Sequence, residues 1–253
     1  MMNYSTALRP QTIKRLEEIG KADILVGIPC YNNERTIQHV VETVSDGLDR
    51  YYRDAHSVIF ISDGGSTDDT RALSKDVELK PWQERIVQIY RGISGKGSAF
   101  RAVFEAAVML DVKSCMVVDS DLRSISPDWV ELLIEPVLHG GFEFVAPVYT
   151  RHKYDGTITN NIVYNLTRAV YGKRIRQPIG GDFTISKELA KFYLEKPVWS
   201  TDIAKFGIDI WMTINAIARN VNICQAHLGV KVHDAKDPAA SLGPMFVQVV
   251  GTL

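Results

Sequence analysis

Through the first half of the chain, short continuous apolar runs alternate with longer segments whose apolar residues recur every three or four positions. The runs Ile24–Cys30, Ser57–Asp63, 86–90 and 115–118 have strand length and are too short for helices. Pro29 is expected to stop the first. Between them, Ile37, Val40, Val41, Val44 and Leu48 share one helical face, and Phe100, Val103, Phe104, Ala107 and Val108 share another. Ser66-Thr67-Asp68-Asp69 reads as a capping box opening a further helix. An arm over residues 1–22 carries Ile13, Leu16 and Ile19 at helical spacing. Strand, loop and helix in regular succession predict right-handed βαβ units, and so an α/β protein with a mainly parallel sheet flanked by helices.

The second half changes character. A strand is predicted over 142–149, then a polar loop over 150–157, and a helix over 160–171 ended by Gly172. The stretch Gln177-Pro178-Ile179-Gly180-Gly181-Asp182-Phe183 is too glycine-rich for a plain element. A helix opens near Phe206, a strand covers 223–232 and closes with His233-Asp234, and 242–253 is apolar and helix-like. No internal repeat or linker interrupts the chain, which reads as a single domain over 1–253.

Candidate chemistry gathers where the strands end. The run 115–118 is followed by Asp119-Ser120-Asp121. Period-two geometry would point both carboxylates to one side of a strand end, where hard oxygen ligands suit Mg²⁺ or Mn²⁺ together with substrate phosphates. Alone, the pair is also what an ordinary strand end looks like. Asn32, Glu34, Asp63 and Lys96 follow the other strands, and ligands of parallel sheets sit at such carboxyl ends. Lys96, between Gly95 and Gly97, would meet a diphosphate, with the glycines letting backbone approach the phosphates. His233 is the candidate third ligand, and Asp209 lies in the first turn of its helix.

Composition narrows the field. A formal net charge of −1 gives no bulk case for nucleic acid. No apolar run is long enough to span a bilayer and the start has no signal-peptide core, so the expectation is a cytoplasmic protein without a transmembrane segment. Cys30, Cys115 and Cys224 read as buried thiols rather than a disulfide framework. The P-loop and dinucleotide fingerprints are absent, and 29–33 lacks the glycine-rich, arginine-containing loop of a nucleotidyltransferase.

Taken in order, GIPCYNNERTI, SDGGSTDDT, GKGSAFRA and VVDSDL resemble the GT-A fold nucleotide-sugar glycosyltransferases. The later QPIGGDF, FGIDIWM and LGVKVHD, with PAASLGPMFVQVVGTL, are similar to the glucosyl-3-phosphoglycerate synthase family, a retaining family. The resemblance covers residues 23–253 and implies a GT-A, Rossmann-like fold. Residues 23–140 would form the nucleotide-sugar-binding half and 141–253 the acceptor-binding half. It implies metal-dependent, retaining transfer of a hexose, with glucose from UDP-glucose expected, to a small polar acceptor such as 3-phosphoglycerate or glycerate, with Mg²⁺ or Mn²⁺ as cofactor.

Carried to this chain, Asp121 is the direct metal ligand and His233 the distal one. Pro29, Tyr31, Asn32, Glu34, Asp63, Gly64, Lys96, Asp119 and Ser120 match donor-binding positions. Asp209 matches the acidic residue near the reacting sugar and is paired with Asp119 as catalytic. Gly156, Thr157, Thr159, Gly180 and Gly181 fall in the acceptor region. The family's Gly-Arg-Val-Thr run, whose arginine holds the acceptor phosphate, is here Gly156-Thr157-Ile158-Thr159. Arg151, Lys153 and Arg174 are the candidates to replace that arginine. Two alternatives stay open: an inverting transferase acting on a lipid-phosphate carrier, with Asp209 as base, and a non-catalytic sugar-nucleotide-binding protein. The apolar C-terminal segment suggests a homodimer.

Overall fold

The computed structural model describes residues 5–151, 156–233 and 242–253. The four predicted runs become β1 (Ile24–Cys30), β2 (Ser57–Asp63), β3 (Gln83–Ile89) and β4 (Ser114–Val117). With β5 (Phe144–Thr150), β6 (Phe183–Ser186) and β7 (Ile223–Val230) they form a seven-stranded sheet in the order β3-β2-β1-β4-β6-β5-β7. The first four strands pair in parallel, as the βαβ alternation requires, and β5 pairs in parallel with β7. The short β6 is inserted antiparallel between β4 and β5. The strand order reverses between β1 and β4, which opens a crevice at their carboxyl ends.

One face of the sheet is covered by α1 (Pro10–Ile19), α4 (Lys96–Met109), α7 (Lys187–Leu194) and α8 (Ile208–Ala218), the other by α2 (Ile37–Tyr51) and α5 (Pro127–Leu138). Alternation assigns the faces: Cys115 and Val117 pack towards α4, while Met116 and Val118 pack towards α2 and α5. Phe60, Phe100, Phe104, Phe144 and Phe183 are fully buried, each contributing about 1.5–3 kcal/mol. The remaining helices are α3 (Thr70–Asp76), α6 (Tyr164–Tyr171) and α9 (Gly243–Val250).

Several expectations need correction. Pro29 does not stop β1; it lies inside the strand, opposite Ser62. The capping box before α3 does not form, since neither Ser66 nor Asp69 caps the helix by its side chain. Asp68 instead accepts from the Thr70 amide at 3.1 Å. The helix before Gly172 starts earlier than expected, as a π-helical turn over Ile158–Val163 that runs into α6. Gly172 closes it in the left-handed region, its amide donating to Arg168 O at 3.0 Å. Cys30 and Cys115 are buried free thiols as expected, but Cys224 is only half-buried.

Candidate active site

At the ends of β1 and β2 the backbone is held by local hydrogen bonds. Asp63, fully buried, accepts from the amides of Gly65 at 2.9 Å and Ser66 at 3.0 Å and from the Ser66 hydroxyl. Arg71 adds an ion pair at 3.7 Å. The Asp63 oxygens thus face its own turn and Arg71. Burial, helped by Asp63, raises the Cys30 thiol well above its ordinary pKa.

Asn32 sits at φ +54°, a left-handed conformation that asparagine tolerates. Its side chain accepts from the Thr67 amide at 2.9 Å, and its own amide donates to Ser66 Oγ at 2.9 Å. Glu34 is exposed, with its amide on Asp68 at 3.1 Å and its carboxylate accepting from the Asp69 amide at 3.3 Å. Tyr31 is exposed, and Gly64 lies against its ring while donating to Cys30 O at 2.8 Å.

Period-two alternation does not deliver the two carboxylates after β4, because the strand ends at Val117. A cross-braced loop does so instead. Thr36 donates to Ser120 O at 2.7 Å, Ser120 Oγ donates to Asn33 Oδ1 at 2.8 Å, and the Asp119 amide donates to Asp182 at 2.8 Å. Asp182 is available there because the β4–β6 register ends at Val117 opposite Phe183, leaving the next residues to meet side chain to backbone.

Asp119 is held between two lysines. Lys96, at the start of α4, reaches one oxygen at 2.8 Å and Asp209 at 3.3 Å. Lys231, just beyond β7, reaches the other oxygen at 2.8 Å, Asp182 at 2.7 Å and Gly180 O at 3.0 Å. Tyr149 donates its hydroxyl to Asp182 and to Gly180 O. Burial alone would lower both lysines; for Lys96 the charges of Asp119 and Asp209 outweigh it, and for Lys231 those of Asp119 and Asp182, so both stay above the ordinary value. Burial first, then Asp182, holds the Tyr149 phenol well above its usual pKa.

Two ammonium groups therefore face three carboxyl groups. Burial pushes the Asp209 carboxyl up, with Lys96 opposing and Asp119 adding to the rise. The second Asp209 oxygen is buried without a hydrogen-bond partner.

The glycines around Lys96 lie against the backbone of 203–205. A Cβ at Gly97 would stand 2.1 Å from Ile203 O, and the Gly97 amide donates to Lys205 O at 3.1 Å. Their bareness admits the backbone of 203–205, which leads into α8 and so ties Lys96 to Asp209. Gly181, at φ +88°, faces Asp119: a Cβ there would lie 2.2 Å from Oδ2. Gly180 packs on Pro147. Gly156, at φ +61°, Thr157, which is exposed, and Thr159, which is buried, open the helical segment before α6. Lys153 lies outside the described residues.

An isolated antiparallel bridge pairs His233 with Leu122, the residue after Asp121, flanked by the Arg123 amide on Val232 O and the Val232 amide on Ser124 Oγ, both at 2.8 Å. The bridge brings residues from two distant parts of the chain side by side. A carboxylate and an imidazole suit Mg²⁺ or Mn²⁺, and two protein donors fit an ion that completes its shell with phosphate oxygens and water. Among the described residues no group of three or more His, Cys, Asp or Glu side chains is arranged to hold a metal.

Sequence reasoning missed Lys231, Asp182 and Tyr149. The available signals were an acid directly after Gly180-Gly181 and a lysine two residues before His233. No helix among the described residues is long and apolar enough to cross a membrane.

Comparison with known proteins bears on this arrangement. No curated protein sequence matches the chain. Among solved structures, glucosyl-3-phosphoglycerate synthase from Mycobacterium tuberculosis, in complex with Mn²⁺, UDP-glucose and phosphoglyceric acid, is similar at 26% identity and a TM-score of 0.73, over 98% of this chain and 84% of that one. The same enzyme with Mn²⁺, UDP-glucose and glycerol 3-phosphate gives 27% identity and 0.73, over 98% and 85%. Its complex with Mg²⁺ and UDP gives 25% and 0.73, over 97% and 83%. The family model described as glycosyl transferase family 2 matches residues 25–191. The chain belongs to glycosyl transferase family 2 and is a glycosyltransferase with a GT-A fold.

Proposed function

We propose that this protein is a metal-dependent, retaining glycosyltransferase that moves glucose from UDP-glucose to a small polar acceptor such as 3-phosphoglycerate or glycerate. The observation that supports the reading is the Leu122–His233 bridge, which pairs the residue after Asp121 with His233. Asp121 and His233 would hold Mg²⁺ or Mn²⁺. When bound, the cation neutralises charge that develops on the departing diphosphate. Residues 23–140 serve the donor and 141–253 the acceptor. Loops 30–34 and 63–66 receive the nucleoside, and Lys96, drawn from its partners, meets the phosphates. The orphaned Asp209 oxygen accepts a hydroxyl of the donor sugar, which satisfies an atom that is otherwise costly to bury. In retention the C1–oxygen bond to the diphosphate breaks, the acceptor oxygen bonds C1 from the same face, and its proton passes to the departing phosphate oxygen. The configuration at C1 decides between this reading and an inverting reaction with Asp209 as base, which would reverse it.

The test is product analysis with UDP-glucose, Mn²⁺ and either acceptor. An α-glucoside in the NMR spectrum is expected. A β-product overturns retention, and binding of UDP-glucose without product from any acceptor overturns the transfer reading.

A further inference from the structure

Arg151 directly follows β5, and its Nε is buried without a hydrogen-bond partner. Its guanidinium carbon lies 5.0 Å from the centre of the Tyr149 ring, and Lys231 Nζ lies 5.0 Å from the same centre. One aromatic ring therefore links Arg151 to the ammonium that holds Asp119. The Arg151 side chain also runs along Gly156: a Cβ there would stand 3.4 Å from its Cδ and its Nη1, and 3.3 Å from Asn160 Nδ2. Asn160 Oδ1 accepts from Arg176 Nη1 at 2.9 Å. Among the described residues, neither arginine takes part in an ion pair.

A guanidinium is always charged, and its planar fork matches carboxylate and phosphate oxygens. A buried N–H of that group left unmatched is costly, and an oxyanion would satisfy it. Thr157, next to Gly156, supplies no charge of its own. We propose that Arg151, with Arg176 across Asn160, forms the subsite that holds the oxyanion of the acceptor, a carboxylate or phosphate on a small hydroxy compound; this assignment rests on the acceptor reading above. Exposed Arg176 supplies the outer contact and half-buried Arg151 the inner one.

Calorimetric titration of the full chain with 3-phosphoglycerate, glycerate, glycerol 3-phosphate and glycerol, without donor, tests it. The anions should bind at least tenfold more tightly than glycerol, and the order of glycerate and glycerol 3-phosphate identifies which oxyanion the site prefers. R151Q should weaken the anions tenfold or more and R176Q by less, with unfolding midpoints unchanged. R151K, which keeps the charge without the fork, should fall between wild type and R151Q and serves if R151Q is poorly folded. Anion affinity unchanged in R151Q, or equal to that for glycerol in wild type, overturns the subsite. Anion binding that depends on Arg151, in a protein that transfers sugar to none of these compounds, upholds the subsite and counts against the proposed reaction alone.

Discussion

The crevice has two sides held by different forces. At the ends of β1 and β2, Asn32, Asn33, Ser66 and Asp63 close their turns with hydrogen bonds to nearby backbone, and the one buried carboxylate there, Asp63, accepts at least three of them. At the ends of β4, β6 and β7, the contacts are between ions: Lys96 and Lys231 against Asp119, Asp182 and Asp209. The hydrogen-bonded side has its partners in the protein alone and keeps its shape. The ionic side sets two lysines against three carboxyl groups and leaves one Asp209 oxygen without a hydrogen-bond partner.

The comparison breaks most readily at Lys231, whose side chain is 3% exposed and whose loss strands Asp119 and Asp182. Lys231→Met should destabilise the fold by about 3–5 kcal/mol, read by urea unfolding. A cost below about 1 kcal/mol would mean that the cluster is hydrated and weakly coupled. On the other side, Asp63→Asn removes a charged acceptor from three donors and should cost about 1.5–3 kcal/mol, with little dependence on salt.

Asp209→Asn should have the opposite sign, stabilising the protein at pH 7 by about 1 kcal/mol while impairing transfer. The folded-state pKa of Asp209 lies above 3.8, so the group favours folding below 3.8 and that contribution is lost as pH rises through the folded value. The gain from Asp209→Asn should therefore vanish in acid and grow towards neutrality. A gain that grows in acid contradicts the burial argument. The smallest effect belongs to a pair remote from the crevice. Asp111, exposed beside Lys187 and Lys21, titrates at about 2. Its contribution is present above 3.8 and lost as pH falls through about 2, and Lys187→Ala should bring its NMR titration back towards 3.8.

The hydrogen-bonded side was largely legible in the residues themselves. Apolar runs bounded by Pro29-Cys30-Tyr31-Asn32 and Asp63-Gly64-Gly65 announce strand ends and turns, because their information is local. The ionic side was half hidden. Lys231 lies beyond a strand of mixed polarity, and only the β5–β7 register, with its irregularity at Val148/Tyr149, brings it next to Tyr149 and Asp182. The four-residue β6 follows a glycine-rich stretch and has no alternation to read; its place between β4 and β5 is a tertiary outcome. Helix α5 went unread, although Ser126-Pro127 stands at its start and Trp129, Val130, Leu133 and Ile134 lie at helical spacing. The Gly95 and Gly97 pair shows the limit most clearly, since glycine announces a close approach without saying what approaches.

The most direct test of a site assembled from both ends of the chain is glucose transfer from UDP-glucose in Mn²⁺, in EDTA, and in His233→Ala with its fold verified by circular dichroism. The account predicts full activity in Mn²⁺, none in EDTA with recovery on adding the ion back, and near-complete loss in His233→Ala. Undiminished turnover in EDTA, or in His233→Ala, would contradict it.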